Sequence, residues 1–269
     1  MTPVEKYKGI LLKRCDKFII GDVNGGKVIQ AETLIINNLN IIKEKHNNSI
    51  ICYCSIKSPQ SAIISTICKK YGIECNIITY KTIEPNINLS IAQKNGAKIY
   101  GVKVAYDAVH KSYAKKYFPD SFLINMGFVD GTVIESIIDE VQNIPDELDY
   151  LVVAVGSAMN FIGILKGLKK YDKRVKKIVG VYVGRKPFDT IKKYYDGDIK
   201  YEIVKYRKPY STSININNYF FDPIYEAKAY DWLMMNVDIS KSKCLLWVIG
   251  KRNMDEKNIE EINYFRLKC

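Results

Sequence analysis

Short apolar runs alternate with stretches of helical spacing along most of the chain. SIICYCSI, Ser49 to Ile56, is apolar on both faces of a strand, and SAIISTICKKYG after it has helical spacing with Gly72 as its stop. ECNIITYK then predicts a strand, LSIAQKNG a helix ending at Gly96, AKIYGVKV a strand and YDAVHKSYAKKYF a helix. Beyond FLINMGFVDG, the segment Thr132 to Val141 predicts a helix, Leu151 to Val155 a strand, Asn160 to Lys170 a helix and KKIVGVYVG another strand. Strands apolar on both faces, each followed by a helix, define a parallel sheet covered on both sides. Two α/β lobes are expected, one inserted into the other. Residues 1–41 with 129–269 form a large domain and residues 42–128 a smaller inserted one.

Composition changes this picture little. The 269 residues are 47% apolar and 26% charged, ordinary values for a folded chain. The opening MTPVEKYKGILLKR lacks the apolar stretch of a signal peptide, and the longest mostly apolar run, Leu151 to Leu165, is too short to span a bilayer. A soluble, cytoplasmic protein with no membrane contact is expected. Seven cysteines show no metal-type spacing, so buried reduced thiols and no metal site are expected. His46 and His110 have no evident partners and receive no role.

The net charge of +12 raises the possibility of a nucleic-acid partner. Nearly all of that charge is lysine, however, and arginine is the better fork for phosphate and base contacts. The densest basic stretch, Lys166 to Lys177, fits a solvated helix end and loop better than a polyanion-binding face.

Four segments carry chemistry. In DVNGGKVIQAETL, Asp22 to Leu34, a glycine pair leads to Lys27 and then to a helical face of Val28, Ala31 and Leu34 or Ile35. The positive end of a helix dipole favours the neutral, nucleophilic amine that Schiff-base chemistry requires. Asn-Gly between two β-prone runs also signals a hairpin turn, and the segment taken by itself favours the hairpin. In LVVAVGSAMNFIGILKGL, Leu151 to Leu168, a buried strand meets a helix through a Gly-Ser turn. Free N–H groups there suit a phosphate, with Gly156, Ser157 and Asn160 as contacts. SIKSPQSA, Ser55 to Ala62, is a second strand-to-helix junction, where Ser58 also serves as a plain helix cap before Pro59. DPIYEAKAYDWL places Tyr225 and Glu226 side by side at a helix entry.

Taken together and in order, these segments resemble the 1-aminocyclopropane-1-carboxylate deaminase and D-cysteine desulfhydrase family, of the tryptophan synthase beta-like second fold type of pyridoxal-phosphate enzymes. LLKRCD is similar to that family's K-R-x-D opening, NGGKVIQAE to G-G-N-K-x-x-K-x-E, SIKSPQS to G-I-Q-S-N-Q-T, VGSAMNFIG to T-G-S-G-G-T-x-A-G, and DPIYEAKA to D-P-V-Y-E-G-K-S. The resemblance implies two open-twisted, mostly parallel three-layer α/β/α lobes with the cofactor, pyridoxal 5'-phosphate, between them. It implies Lys27 as the Schiff-base lysine, Ser58, Tyr225 and Tyr210 as catalytic groups, and Glu226 as the carboxylate at the pyridine nitrogen. A small amino-acid-like substrate, lyase or deaminase chemistry and a homodimer also follow from it.

The chain departs from the family at Gly26 and Pro59, each an asparagine there, and at Met159, a glycine there. It is also shorter between Tyr210 and Tyr225, and its late strand LLWVIGKR lacks a Thr-Gly-Gly. Two further readings therefore stand beside the lyase or deaminase: a binding protein of this fold without amino-acid turnover, and an enzyme acting on an amino group of a nucleic acid.

Overall fold

The computed structural model describes residues 1–104, 106–184, 186–216, 221–251 and 259–267. Residues 217–220, inside the shortened Tyr210–Tyr225 stretch, Arg252 of the late strand segment, and Cys269 fall outside them. The chain divides into two compact units: Met1–Phe18 with Asn24–Gln30 and Val129–Lys251, and Ile19–Val23 with Ala31–Phe128 and Arg252–Cys269.

The first unit holds a six-stranded sheet in the order Val4–Tyr7, Ile10–Arg14, Cys244–Val248, Glu147–Val155, Arg174–Tyr182, Glu202–Lys205. Its first pair is antiparallel and every other pairing is parallel. Leu151 to Val155 and Cys244 to Val248 are buried throughout, as sheet-centre strands covered on both faces must be. Helix Met159–Lys170 approaches its neighbours very closely. A β-carbon on Gly163 would sit 2.6 Å from Ile137 Cβ, and one on Gly167 2.5 Å from Val141 Cγ2. Under that surface Thr132–Val141 is not the single helix that its pattern predicts. It forms a 3-10 turn at Gly131–Val133, one α turn at Glu135–Ile138 and a 3-10 turn at Asp139–Val141. The β-branched Val133, Ile134, Ile137, Ile138 and Val141 are poor helix formers, and here burial against the glycine face governs their path.

The second unit holds a five-stranded, wholly parallel sheet ordered Tyr264–Phe265, Lys98–Val102, Glu74–Tyr80, Ser49–Tyr53, Phe122–Ile124. Its helices include Leu39–Lys45, Gln60–Tyr71, Ile87–Lys94 and Asp107–Tyr117. Gly72, at φ +65°, closes helix Gln60–Tyr71 with its N–H on Lys69 O, the left-handed stop that glycine takes most readily. The six described cysteines are all buried thiols, and no described helix is long and apolar enough to cross a membrane.

Candidate functional site

In a parallel sheet, loops leaving the carboxyl ends of the strands gather on one edge, where ligands of open α/β sheets bind. In the first unit that edge carries Gly156–Asn160 after strand Glu147–Val155, Gly184 after Arg174–Tyr182, and Ile249–Gly250 after Cys244–Val248.

Lys27 is the second residue of helix Gly26–Asn37 and is half-buried. The chain enters that helix through Gly25 at φ +102°, where a β-carbon would lie 2.5 Å from Ile249 O. Gly26 N donates to the same oxygen at 2.7 Å, and Val28 N and Ile29 N donate to Gly25 O. The hairpin favoured by Asn24-Gly25 in isolation does not form. The glycine conformation is used instead to bring backbone against backbone at Ile249, and Asn24 Oδ1 is taken by Lys251 N at 2.8 Å.

Gly156 and Ser157 are half-buried, and Ala158, at φ +69°, opens helix Met159–Lys170. The first N–H groups of such a helix have no partner within it and point outward as an anion site. Asn160 is buried; its Nδ2 makes a long 3.4 Å bond to Gln30 Oε1. Asn160 Oδ1 and Gln30 Nε2 are buried and lack partners among the described residues. Asn160 Oδ1 stands 2.9 Å from the place a Gly26 β-carbon would occupy.

Glu226 begins helix Glu226–Asn236 and is only 3% exposed. Its Oε1 accepts from Ile249 N at 3.1 Å. Burial first, and the Asp222 carboxylate second, push its pKa well above the usual carboxylate range, opposed by backbone N–H groups of Glu226, Ile249 and Gly250. Asp222 Oδ1 accepts from Ile224 N and Tyr225 N and so fixes the helix entry. The Tyr225 ring packs on Gly156, where a β-carbon would be 3.4 Å from it. Tyr210 meets Tyr225 edge to face, ring centroids 5.9 Å apart at 69°. It also covers Gly184, whose φ is +90°.

Ser58 belongs to the second unit, half-buried before helix Gln60–Tyr71. Its Oγ accepts from Gln60 N at 3.3 Å, but the N-cap is Pro59, whose carbonyl accepts from Ile63 N, so Ser58 stands one residue before the cap rather than at it. Gln60 is buried, with Nε2 donating to Asn125 O and Oε1 accepting from Gly127 N. The K-R-x-D residues are engaged structurally. Lys13 is buried in an ion pair with Glu140 at 2.7 Å, and Arg14 holds Asp16 and Glu5.

Sequence reasoning passed over Ile249, Gly250, Gln30 and Gly184. Ile249 and Gly250 act through backbone groups, which leave no residue-type signal. Every cationic side chain between 166 and 177 has an acidic partner: Lys166 with Asp196, Lys169 with Asp198, Lys170 with Asp139, Lys173 with Asp146, Arg174 with Glu147, Lys176 with Asp149 and Lys177 with Glu202.

A family model for pyridoxal-phosphate dependent enzymes matches residues 23–218, and the chain belongs to that family. Its members use pyridoxal phosphate as cofactor. Among solved structures, an ACC deaminase homologue is similar at 18% identity, over 90% of this chain and 84% of that one, with a TM-score of 0.74. A pyridoxal 5'-phosphate-dependent aspartate racemase aligns at 15% identity over 95% and 92% of the two chains, TM-score 0.66. The O-acetylserine dependent cystathionine beta-synthase from Helicobacter pylori does so at 15% over 97% and 95%, TM-score 0.66. At these identities the likeness is one of fold. No curated protein sequence matches the chain.

Proposed function

We propose that this protein is a lyase or deaminase of the 1-aminocyclopropane-1-carboxylate deaminase and D-cysteine desulfhydrase type, acting on an amino acid or an amino-acid-like molecule with Lys27 as the residue that holds pyridoxal phosphate covalently. The observation that carries this reading is the position of Ile249. Its carbonyl accepts from Gly26 N, next to Lys27, and its N–H donates to Glu226 Oε1. One residue's backbone thus ties the amine segment to the buried carboxyl.

The donor set fits the cofactor. The start of helix Met159–Lys170, with Gly156, Ser157 and Asn160, offers N–H groups to a phosphate. Glu226, buried and pushed toward its protonated form, suits a ring nitrogen that shares its proton. The orphaned amide atoms of Asn160 and Gln30 are what a polar ligand satisfies. When bound, pyridoxal phosphate supplies an electron-withdrawing ring that stabilises negative charge at the substrate carbon. In this reading Lys27 moves the proton at that carbon, and Tyr225 and Tyr210 orient the substrate or exchange protons with it. Ser58 is a further catalytic group in the same reading, on the strength of its motif alone. A homodimer of this chain belongs to it as well.

One observation favours a binding protein without turnover: Ser58 Oγ is engaged by Gln60 N, and Pro59 offers no N–H to a substrate carboxylate. The paired charges from Lys166 to Lys177 give an acceptor on nucleic acid no support. A panel of D- and L-amino acids, incubated with cofactor-loaded protein in deuterium oxide, separates the remaining two. Exchange of the α-hydrogen, or release of ammonia, is expected from at least one compound. No exchange from any of them, with the cofactor bound, would establish the binding protein.

A further inference from the structure

Lys228 lies on helix Glu226–Asn236, fully buried. Burying an ammonium is costly unless its donors are used. Here Nζ donates to Pro209 O at 2.9 Å and to Tyr210 O at 3.4 Å, and it lies 5.7 Å from the centroid of the Tyr206 ring. Tyr206 in turn donates its hydroxyl to Asp231 Oδ2 at 2.6 Å, on the same helix. Segment 206–210 is therefore fastened to that helix at both ends; exposed Arg207 adds an ion pair to the same Asp231 at 3.3 Å, and Lys208 and Pro209 face solvent.

The consequence lies at Tyr210. Its ring rests on Gly184 and meets Tyr225 edge to face. Tyr225 precedes Glu226 in the chain and rests on Gly156. The two tyrosines lie over two strand-end glycines, and the Tyr210 main chain is held where Lys228 reaches it. An apolar side chain at 228 could fill the volume, but it could not bond two carbonyls of an irregular segment.

We propose that Lys228 is a positioning residue: its buried ammonium grips the Pro209 and Tyr210 carbonyls and so sets the Tyr210 ring against Tyr225. The proposal rests on the reading of Tyr210 as a residue of the cofactor site. It assigns Lys228 no contact with substrate.

The full-length Lys228→Met variant tests this in two arms. The first needs no cofactor: trypsin cleavage after Arg207 is timed against cleavage after Arg174, in strand Arg174–Tyr182 of the same unit. Loss of charged hydrogen bonds is expected to speed the cut after Arg207 roughly tenfold or more, without a matching rise at Arg174. The second arm reads the visible circular dichroism of bound pyridoxal phosphate in Lys228→Met, Tyr210→Ala and the double variant. Lys228→Met is expected to shift it as Tyr210→Ala does, and the double variant to shift it no further. Unchanged cleavage after Arg207, an equal rise at Arg174, or additive spectral shifts would overturn the proposal. A wild type that binds no cofactor sinks the site reading instead, and the cleavage arm then decides the grip alone. Should Lys228→Met not fold, Lys228→Gln, which keeps a donor for one carbonyl, goes through the same comparison, with an intermediate rise after Arg207 expected and none overturning the grip.

Discussion

The side-chain oxygen of Asn160 lies 2.9 Å from the point where a β-carbon on Gly26 would begin. The amide of one helix start thus fills the space that a side chain beside Lys27 would need. Gly26→Ala must displace a buried group, so it is expected to cost about 1 kcal/mol of stability and to weaken pyridoxal phosphate binding roughly tenfold. Adding Asn160→Ala should return the stability but not the binding. Thermal unfolding and a spectrophotometric cofactor titration check both. A Gly26→Ala protein that equals the wild type in each would mean that Asn160 moves aside freely.

Gly25 has no such latitude. Its φ of +102° and the 2.5 Å approach of Ile249 O leave a side chain neither a conformation nor room. Gly25→Ala is expected to lose at least ~2 kcal/mol, because the neighbour is backbone and cannot rotate away. Chemical denaturation of the cofactor-free protein measures this, and a loss below about 0.5 kcal/mol would contradict the close approach.

Glu226 makes a prediction with a sign. Burial and Asp222 raise its folded pKa above the unfolded value of 4.5. Such a group contributes stability fully below the unfolded pKa, and that contribution is lost as pH rises through the folded pKa. Cofactor-free Glu226→Gln is therefore expected to be more stable than wild type at pH 7, by about 1–3 kcal/mol, with the difference shrinking toward pH 5. Unfolding midpoints across that range decide it. A variant less stable at pH 7, or a difference independent of pH, would show that Glu226 is ionised and compensated.

Ala158 holds a left-handed conformation, φ +69°, that glycine adopts without strain. Ala158→Gly should relieve about 1 kcal/mol of strain, set against a comparable gain in unfolded-chain freedom. A net change within about 1 kcal/mol in either direction is expected from equilibrium unfolding. A larger loss would mean that the Ala158 methyl group contributes packing beyond its burial.

Much of the fold could be read from pattern because the central strands of both large sheets pair in parallel. Buried strands such as Leu151–Val155 must be apolar on both faces, and the stops at Gly72 and Gly96, at φ +65° and +86°, are chemically marked. The edge strands Val4–Tyr7 and Glu202–Lys205 carry mixed burial and give no such run. The turns of 131–141 escaped because packing on Gly163 and Gly167 sets their path. At the candidate site, Tyr225 and Glu226 stand in a compact motif. The route into the Lys27 helix was ambiguous, since Asn24-Gly25 suits a hairpin equally well. What selects the helix is a contact with Ile249, over two hundred residues further on.

The most direct test is attachment of the cofactor itself. Purified protein is mixed with pyridoxal phosphate, its visible spectrum is recorded beside that of Lys27→Ala, and the adduct is fixed with borohydride and located by peptide mass analysis. A visible band in the wild type, absent from the variant, with the fixed group on Lys27, is the expected result. A band that survives Lys27→Ala, or a fixed group on another lysine, would contradict the assignment of this site.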